Sequence, residues 1–247
     1  MTTTNQQRNV FITGANRGLG LALARVYLAC GARVFGSYRS TSHLEDLRSL
    51  EREWSASFTP IKLDLSQPER FAETATLMHS LITGLDVLIN NAGIHSQSRD
   101  VQRHQRNLEL GSLEASGLQM MLQTNALSPL LLTQALLPLL EASDNATILN
   151  VSSRRGSLTN KHEGGNYGYC VSKVALNMMT RALAGDLRTR EIKVISAHPG
   201  VVQTAMSGHD APLSPLESAH ALMALVDQLD MTQSGQFYNW DGSVHPW

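Results

Sequence analysis

Thr13-Gly-Ala-Asn-Arg-Gly-Leu-Gly20 sets glycines at positions 14, 18 and 20 between a short apolar run and a helical pattern. A strand, a glycine turn and a helix in that order let backbone amides and the positive end of the helix meet a pyrophosphate. The spacing is G-x-x-x-G-x-G rather than the commoner dinucleotide fingerprint, and a lone glycine turn also reads as an ordinary strand-to-helix connection. The flanking strand and helix favour nucleotide binding, with Gly14, Asn16, Arg17, Gly18, Leu19 and Gly20 around the phosphates. An NAD-type site places Asp or Glu about 20 residues further on, where it holds the adenosine ribose. Here the second apolar run ends Gly36-Ser-Tyr38-Arg39 without a carboxylate. Arg39 can pair with a 2′-phosphate and stack on adenine, and Arg17 supplies a second positive charge, so NADPH is the expected cofactor.

Tyr169 and Lys173 form a second chemically suggestive pair. Four apart in a helical pattern, they share one face about a turn apart. A phenol with a reference pKa near 10 is a poor acid–base catalyst at neutral pH, and a nearby ammonium favours its ionised form. Taken alone, the pair reads first as a solvated helix face with a tyrosine packed on the core. Tyr167 is excluded as the partner, because the residue four beyond it is Val171.

Both features need a scaffold, and the chain supplies an alternation of short β-rich runs and longer helical patterns, as in a parallel sheet covered on both faces. Strands are predicted at Asn9 to Thr13, Ala32 to Tyr38, Phe58 to Leu63, Leu85 to Asn90, Ala146 to Ser152, Lys193 to His198 and Gly235 to Asn239. Helices are predicted near 18–30, 42–54, 67–82, 116–142, 168–190 and 215–229. Ser66 and Ser214 read as helix N-caps ahead of Pro68 and Pro215. The fold class is therefore α/β, a doubly wound sheet of about seven parallel strands, and 247 residues suit one domain spanning 1–247. Ile94 to Ser116 reads as a solvated excursion with His95, His104, Arg99, Arg103 and Arg106 on the surface. Leu158 to Asn166 reads as a flexible loop.

Hydrophobic residues make up 42% and charged residues 17%, enough to bury a core and too few charges for wholesale disorder. Twenty Lys and Arg against 21 Asp and Glu leave no global basic field, so nucleic acid and anionic membranes are not expected partners. Cys30 and Cys170 have no metal-ligand spacing, and no metal is expected. The polar opening Met1 to Arg8 lacks a hydrophobic run, and the apolar stretch Ala126 to Leu140 is short and broken by Pro129 and Pro138, so a cytoplasmic protein is expected.

At this point the chain resembles the short-chain dehydrogenase/reductase family along essentially its whole length. Asp64-Leu65 follows the third strand, Asn90-Asn91-Ala92-Gly93 ends the fourth, and Asn125 lies in Gln123-Thr-Asn-Ala126. Asn150-Val-Ser-Ser153 closes the fifth strand, Tyr169-Cys-Val-Ser-Lys173 gives YxxxK, and Pro199-Gly200-Val-Val202-Gln-Thr204 follows the sixth. The Ser-Arg after the fifth strand, the Gly-Gly-Asn-Tyr-Gly-Tyr run and the ending rich in Phe-Tyr, Asp-Gly and Trp resemble C-factor/sniffer-type carbonyl reductases.

The resemblance implies an oxidoreductase that reduces a ketone or aldehyde. In it Tyr169 is the general acid/base, Lys173 binds the nicotinamide ribose, Ser153 steadies the substrate oxygen and Asn125 anchors a water leading to Lys173. Asp64 and Leu65 would hold the adenine. Asn91, Ala92 and Gly93 would line the cofactor cleft, and Pro199, Gly200, Val202 and Thr204 would border the nicotinamide. Ser152 is the alternative to Ser153, since neighbouring strand positions point to opposite sides and only one is expected to face the cleft. A nucleotide-binding regulatory protein and an NAD-dependent alcohol dehydrogenase are the alternative functions. The partner is a small carbonyl or alcohol compound, and a homodimer or homotetramer is expected by analogy. Arg154, Arg155, Lys161 and His162 raise the option of an anionic substrate, against the bland reading of solvated loop charges.

Overall fold

The computed structural model describes residues 7–41, 44–96, 98, 101–105, 108–206, 208 and 210–247. Arg99, Arg106, the side chain of Arg103 and the first six residues lie outside the described residues. One sheet carries β1 (Asn9–Ile12), β2 (Arg33–Tyr38), β3 (Phe58–Lys62), β4 (Val87–Asn90), β5 (Thr147–Val151), β6 (Lys193–His198) and β7 (Phe237–Asn239). The order is β3-β2-β1-β4-β5-β6-β7, and every pairing is parallel. Each strand lies inside its predicted span, shorter by up to two residues at an end.

The reason is the density of apolar residues. Val10, Phe11 and Ile12, Val87 to Ile89, Ile148 and Leu149, and Val194 and Ile195 are fully buried. Such continuous runs suit strands covered on both sides. Alternate residues serve opposite layers: Val10 and Ile12 pack with Leu23, Tyr27 and Leu222, whereas Phe11 packs with Phe71, Met78, Leu132 and Leu136. The first layer is built by α1 (Gly18–Ala29), α2 (Glu45–Glu53) and α7 (Pro215–Gln228). The second holds α3 (Phe71–Leu81), α5 (Ser128–Glu141) and α6 (Tyr167–Asp186).

The strand order changes direction between β1 and β4, so a crevice opens beyond their carboxyl ends, where ligands bind open α/β sheets. A buried polar row fixes α6 above it. Asn90 Nδ2 donates to Asn150 Oδ1 (2.8 Å), Asn150 Nδ2 donates to Thr180 Oγ1 (2.9 Å), and Thr180 meets the Ser196 hydroxyl at 2.7 Å. Asn90, Asn150 and Ser196 are register partners on β4, β5 and β6. The row thereby ties the helix bearing Tyr169 and Lys173 to three strands.

Two local predictions change. The single helix expected over 116–142 is α4 (Ala115–Leu122), a π-helical turn Gln123–Leu127, and α5. Pro129 lacks an N–H and cannot donate to the Asn125 carbonyl four residues back, so the regular ladder is interrupted there. Ser214 does cap α7, through a capping box with Glu217 (2.8 and 3.2 Å). Ser66 does not cap a helix: Gln67 precedes the 3₁₀ turn Pro68–Arg70, and Ser66 bonds to Asp64 instead.

Candidate active site

The glycine turn is held by its neighbours on both sides. Ser37 Oγ accepts from Gly14 N (3.1 Å), and Ala15 N donates to the Ser37 carbonyl (2.7 Å). Thr13 Oγ1 accepts from both Asn91 N and Ala92 N (2.9 Å each), and Asn91 Nδ2 donates to Thr13 O (2.8 Å). The Asn91-Ala92-Gly93 segment is thus stapled to the end of β1. Gly14 and Gly18 adopt φ of +68° and +54°, which disfavours any side chain. A Cβ at Gly20 would lie 2.1 Å from Gly14 O, so α1 approaches the turn closely only because that position is glycine.

A cleft of about 950 Å³ runs from this turn across the carboxyl edge of the sheet. It brings together every residue expected to bind the cofactor: Gly14 to Gly20 apart from Ala15, then Arg39, Asp64, Leu65, Asn91 to Gly93, Pro199, Gly200, Val202 and Thr204. The Thr204 methyl lies 3.3 Å from where a Cβ would stand on Gly18, so the segment after β6 meets the glycine turn. Among the described lining residues the end of β2 contributes Ser37, Tyr38, Arg39 and Ser40 and no carboxylate.

At the other end the cleft is lined by Ser153, Tyr169 and Lys173. Lys173 Nζ is buried, donates to Val151 O (2.7 Å) and lies 5.9 Å from the Tyr169 ring centroid. Burial pushes this ammonium down to about 8. Burial also pushes the Tyr169 phenol above its ordinary value, while the Ser153 hydroxyl and the Arg155 guanidinium pull it back. Ser153 Oγ accepts from Arg155 N (3.2 Å), which makes Ser153 the cap of the 3₁₀ turn Arg154–Gly156.

Asn125 is fully buried behind this group rather than on the cleft wall. Its Oδ1 accepts from Ile94 N (2.8 Å), and its Nδ2 donates to Ile94 O (2.8 Å) and Ser172 Oγ (2.9 Å). Gly93 keeps the space between the two: a Cβ there would stand 3.1 Å from Asn125 Oδ1 and 3.7 Å from Lys173 Nζ.

Three expectations are corrected. β5 ends at Val151, although Ser152 N still donates to Ala197 O (2.8 Å) and Ser153 stays extended, and both serines line the cleft. Ser152 Oγ is buried without a partner, whereas Ser153 is beside Tyr169. His95 is not a surface histidine: its ring stands edge-on to Tyr169 at 4.8 Å, lines the cleft, and burial lowers its pKa. Leu158 to Asn166 is tied at both ends, Thr159 N to Trp247 O (2.7 Å) and Asn166 N to Leu108 O (2.7 Å), while Lys161 Nζ donates to the Gly164 and Gly165 carbonyls. Asn166 itself adopts φ +55° at the start of α6.

His198 is a lining residue that sequence reasoning missed. It ends β6, its Nδ1 is buried without a partner, and burial, with His245 and Arg154 nearby, pushes it down to about 4. Its place beside Pro199 was the available signal. Among the described residues there is no group of three or more His, Cys, Asp or Glu fit to hold a metal, and no helix is long and apolar enough to cross a membrane.

The profile of the family described as short chain dehydrogenase matches residues 8–212, which includes the glycine turn, Ser153, Tyr169 and Lys173. The chain belongs to this family. It is 37% identical over 163 residues to the C-signal of Myxococcus xanthus, covering 66% of this chain and 93% of that one. The carbonyl reductase Sniffer of D. melanogaster superposes with a TM-score of 0.89 at 31% identity, over 98% of this chain and all of that one. An NADPH-bound carbonyl reductase from chicken fatty liver gives 0.86 at 30% identity, over 98% and 99%. The chain is an oxidoreductase of the short-chain type, similar to carbonyl reductases of the sniffer kind.

Proposed function

We propose that this protein reduces a ketone or aldehyde to an alcohol with NADPH. The observation that carries the reading is the convergence of a phenol, a buried ammonium and a serine hydroxyl at one end of a cleft whose other end is the glycine turn. The cleft fits a phosphorylated dinucleotide: the backbone at Gly14 and Gly20 leaves no room for side chains, and Arg17 and Arg39 line it with no carboxylate at the end of β2. Similar proteins are NADP-bound in their solved structures, among them the chicken carbonyl reductase. Bound there, NADPH supplies a hydride to the carbonyl carbon and is left as NADP+.

The protein's own groups handle the proton and the charge. Ser153 donates to the substrate oxygen and places it against Tyr169, which gives that oxygen its phenolic proton. Burial keeps the phenol protonated at neutral pH, as a proton donor must be. Lys173, held by Val151 O, stabilises the phenolate left behind and returns a proton to it; an ammonium pulled down to about 8 can both give and take protons near neutrality. Asn125 has its side chain committed to Ile94 and Ser172, so a water leading to Lys173 falls to its backbone carbonyl, which Pro129 leaves without the usual helical donor. The test is loss of NADPH absorbance with a varied panel of aldehydes, ketones and quinones, with an NADH arm alongside. Turnover much faster with NADPH supports the reading; binding of NADPH with no turnover across the panel opposes it.

A further inference from the structure

The substrate end of the cleft is asymmetric in charge although the whole chain is nearly neutral, with 20 basic against 21 acidic residues. Among its described lining residues the only carboxylate is Asp64, which sits at the far end after β3, with Oδ1 engaged by Ser66. Around Tyr169 the wall carries Arg154 and Arg155, with no acid among the described lining residues there. Among the described residues neither arginine forms a salt bridge, and the Arg155 backbone, not its side chain, is what Ser153 holds. Lys161, by contrast, spends its ammonium on the Gly164 and Gly165 carbonyls.

Both arginines line the cleft wall that also carries Ser153 and Tyr169. Arg155 acts on the Tyr169 phenol and on His95, which packs against the Tyr169 ring at 4.8 Å. Arg154 acts on His198, on the β6 side of the cleft. Ser153 caps the 3₁₀ turn Arg154–Gly156, so the serine that holds the substrate oxygen is followed directly by two fork-shaped donors that line the same cleft.

Resting on the reductase reading above, we propose that the substrate is an anionic carbonyl compound, an aldehyde or ketone bearing a carboxylate, with its negative group held by Arg155 and Arg154. Both arginines are exposed, so beside a neutral substrate their guanidiniums stay solvated and add nothing to binding. An anionic one gains charge-assisted, bidentate hydrogen bonds that discriminate by about 10-fold or more.

The test uses a matched pair, 4-carboxybenzaldehyde and its neutral methyl ester, with the NADPH-loaded protein. The ratio of kcat/KM, acid over ester, is expected to exceed about 10, to fall with added salt, and to drop by about 10-fold or more in Arg155→Gln or in the Arg154→Gln, Arg155→Gln double variant. Use of the ratio cancels any general loss of activity through Tyr169. A ratio at or below one in the wild type, or one that survives in the double variant, overturns the proposal. Binding of 4-(hydroxymethyl)benzoate to the NADPH complex, followed by calorimetry, separates this from failure of the reductase reading. If neither aldehyde turns over but the benzoate binds and Arg155→Gln weakens it about 10-fold, the anion site stands and the reaction is wrong. No binding of the benzoate, with or without turnover of the ester, overturns the anion site.

Discussion

Replacing Gly20 with alanine isolates the close approach between α1 and the phosphate-binding turn. The added Cβ would lie 2.1 Å from Gly14 O and 2.6 Å from Asn91 Nδ2. Ordinary contact begins near 3.4 Å, so relief requires a shift of roughly 1 Å or more. Neither neighbour yields easily, since Gly14 is main chain and Asn91 Nδ2 is bonded to Thr13 O at 2.8 Å. Overpacking costs about 1–3 kcal/mol. Losing the Asn91 bond adds about 1 kcal/mol, for a total of about 2–4 kcal/mol. For a chain of this size that lowers Tm by roughly 5–15 °C. A turn displaced by about 1 Å is expected to weaken NADPH binding on the order of 100-fold, by analogy with the effect of such misplacements on reacting groups. Gly185→Ala is the control: it is also helical, its Cβ would meet nothing within 4 Å, and it is expected to raise stability by about 0.5–1 kcal/mol with the NADPH Kd unchanged. Thermal unfolding and fluorescence titration with NADPH measure both. A Gly20→Ala protein with wild-type Tm and Kd refutes the steric argument.

Arg39→Asp should weaken NADPH binding by about 10–100-fold and NADH binding far less, read from paired Kd values; an equal loss for both would show that Arg39 does not meet a 2′-phosphate. Lys173→Met should abolish a pH dependence. Native Lys173 releases its proton near 8 while the unfolded lysine keeps it to about 10.4, so the unfolded state binds more protons in that window, and wild-type stability rises with pH through it relative to the variant. Urea unfolding at pH 7.5 and 9.5 measures this, with parallel profiles as the contrary result. His198 stays neutral in the native state down to about 4, whereas the unfolded residue protonates near 6.5, so it contributes a loss of stability as pH falls from about 6.5 to 4. His198→Gln should flatten that part of the profile in urea unfolding at pH 4.5 and 7, and an unaltered acid slope would contradict the burial argument.

What was legible in the sequence was whatever is local or strongly periodic. The glycine turn sits beside the strand and helix that give it meaning, and Tyr169 and Lys173 share a helical face by spacing, while the ordered motifs of the family resemblance assign that face to the cleft. The strands followed from apolar runs too dense for one-sided sheets. The misreadings concern contacts made across the chain or at the ends of elements. His95 meets Tyr169 across 74 positions, and nothing near it in sequence announces that contact. Ser152 and Ser153 lie just past the end of β5, where spacing alone does not say which hydroxyl meets Tyr169. The break at Asn125 was readable in principle, since Pro129 removes the donor for the carbonyl four residues earlier. The long apolar pattern from Met120 to Leu140 masked it.

The central claim is that Tyr169 delivers the proton in a site that binds NADPH independently of it. The most direct measurement pairs the NADPH Kd of Tyr169→Phe with its single-turnover rate on the best carbonyl substrate of the panel. Loss of only the hydroxyl should leave Kd within about threefold of wild type and cut the rate by at least about 100-fold, the range expected for removal of a general acid. A Tyr169→Phe protein that binds NADPH normally and reduces the substrate at the wild-type rate would contradict the account.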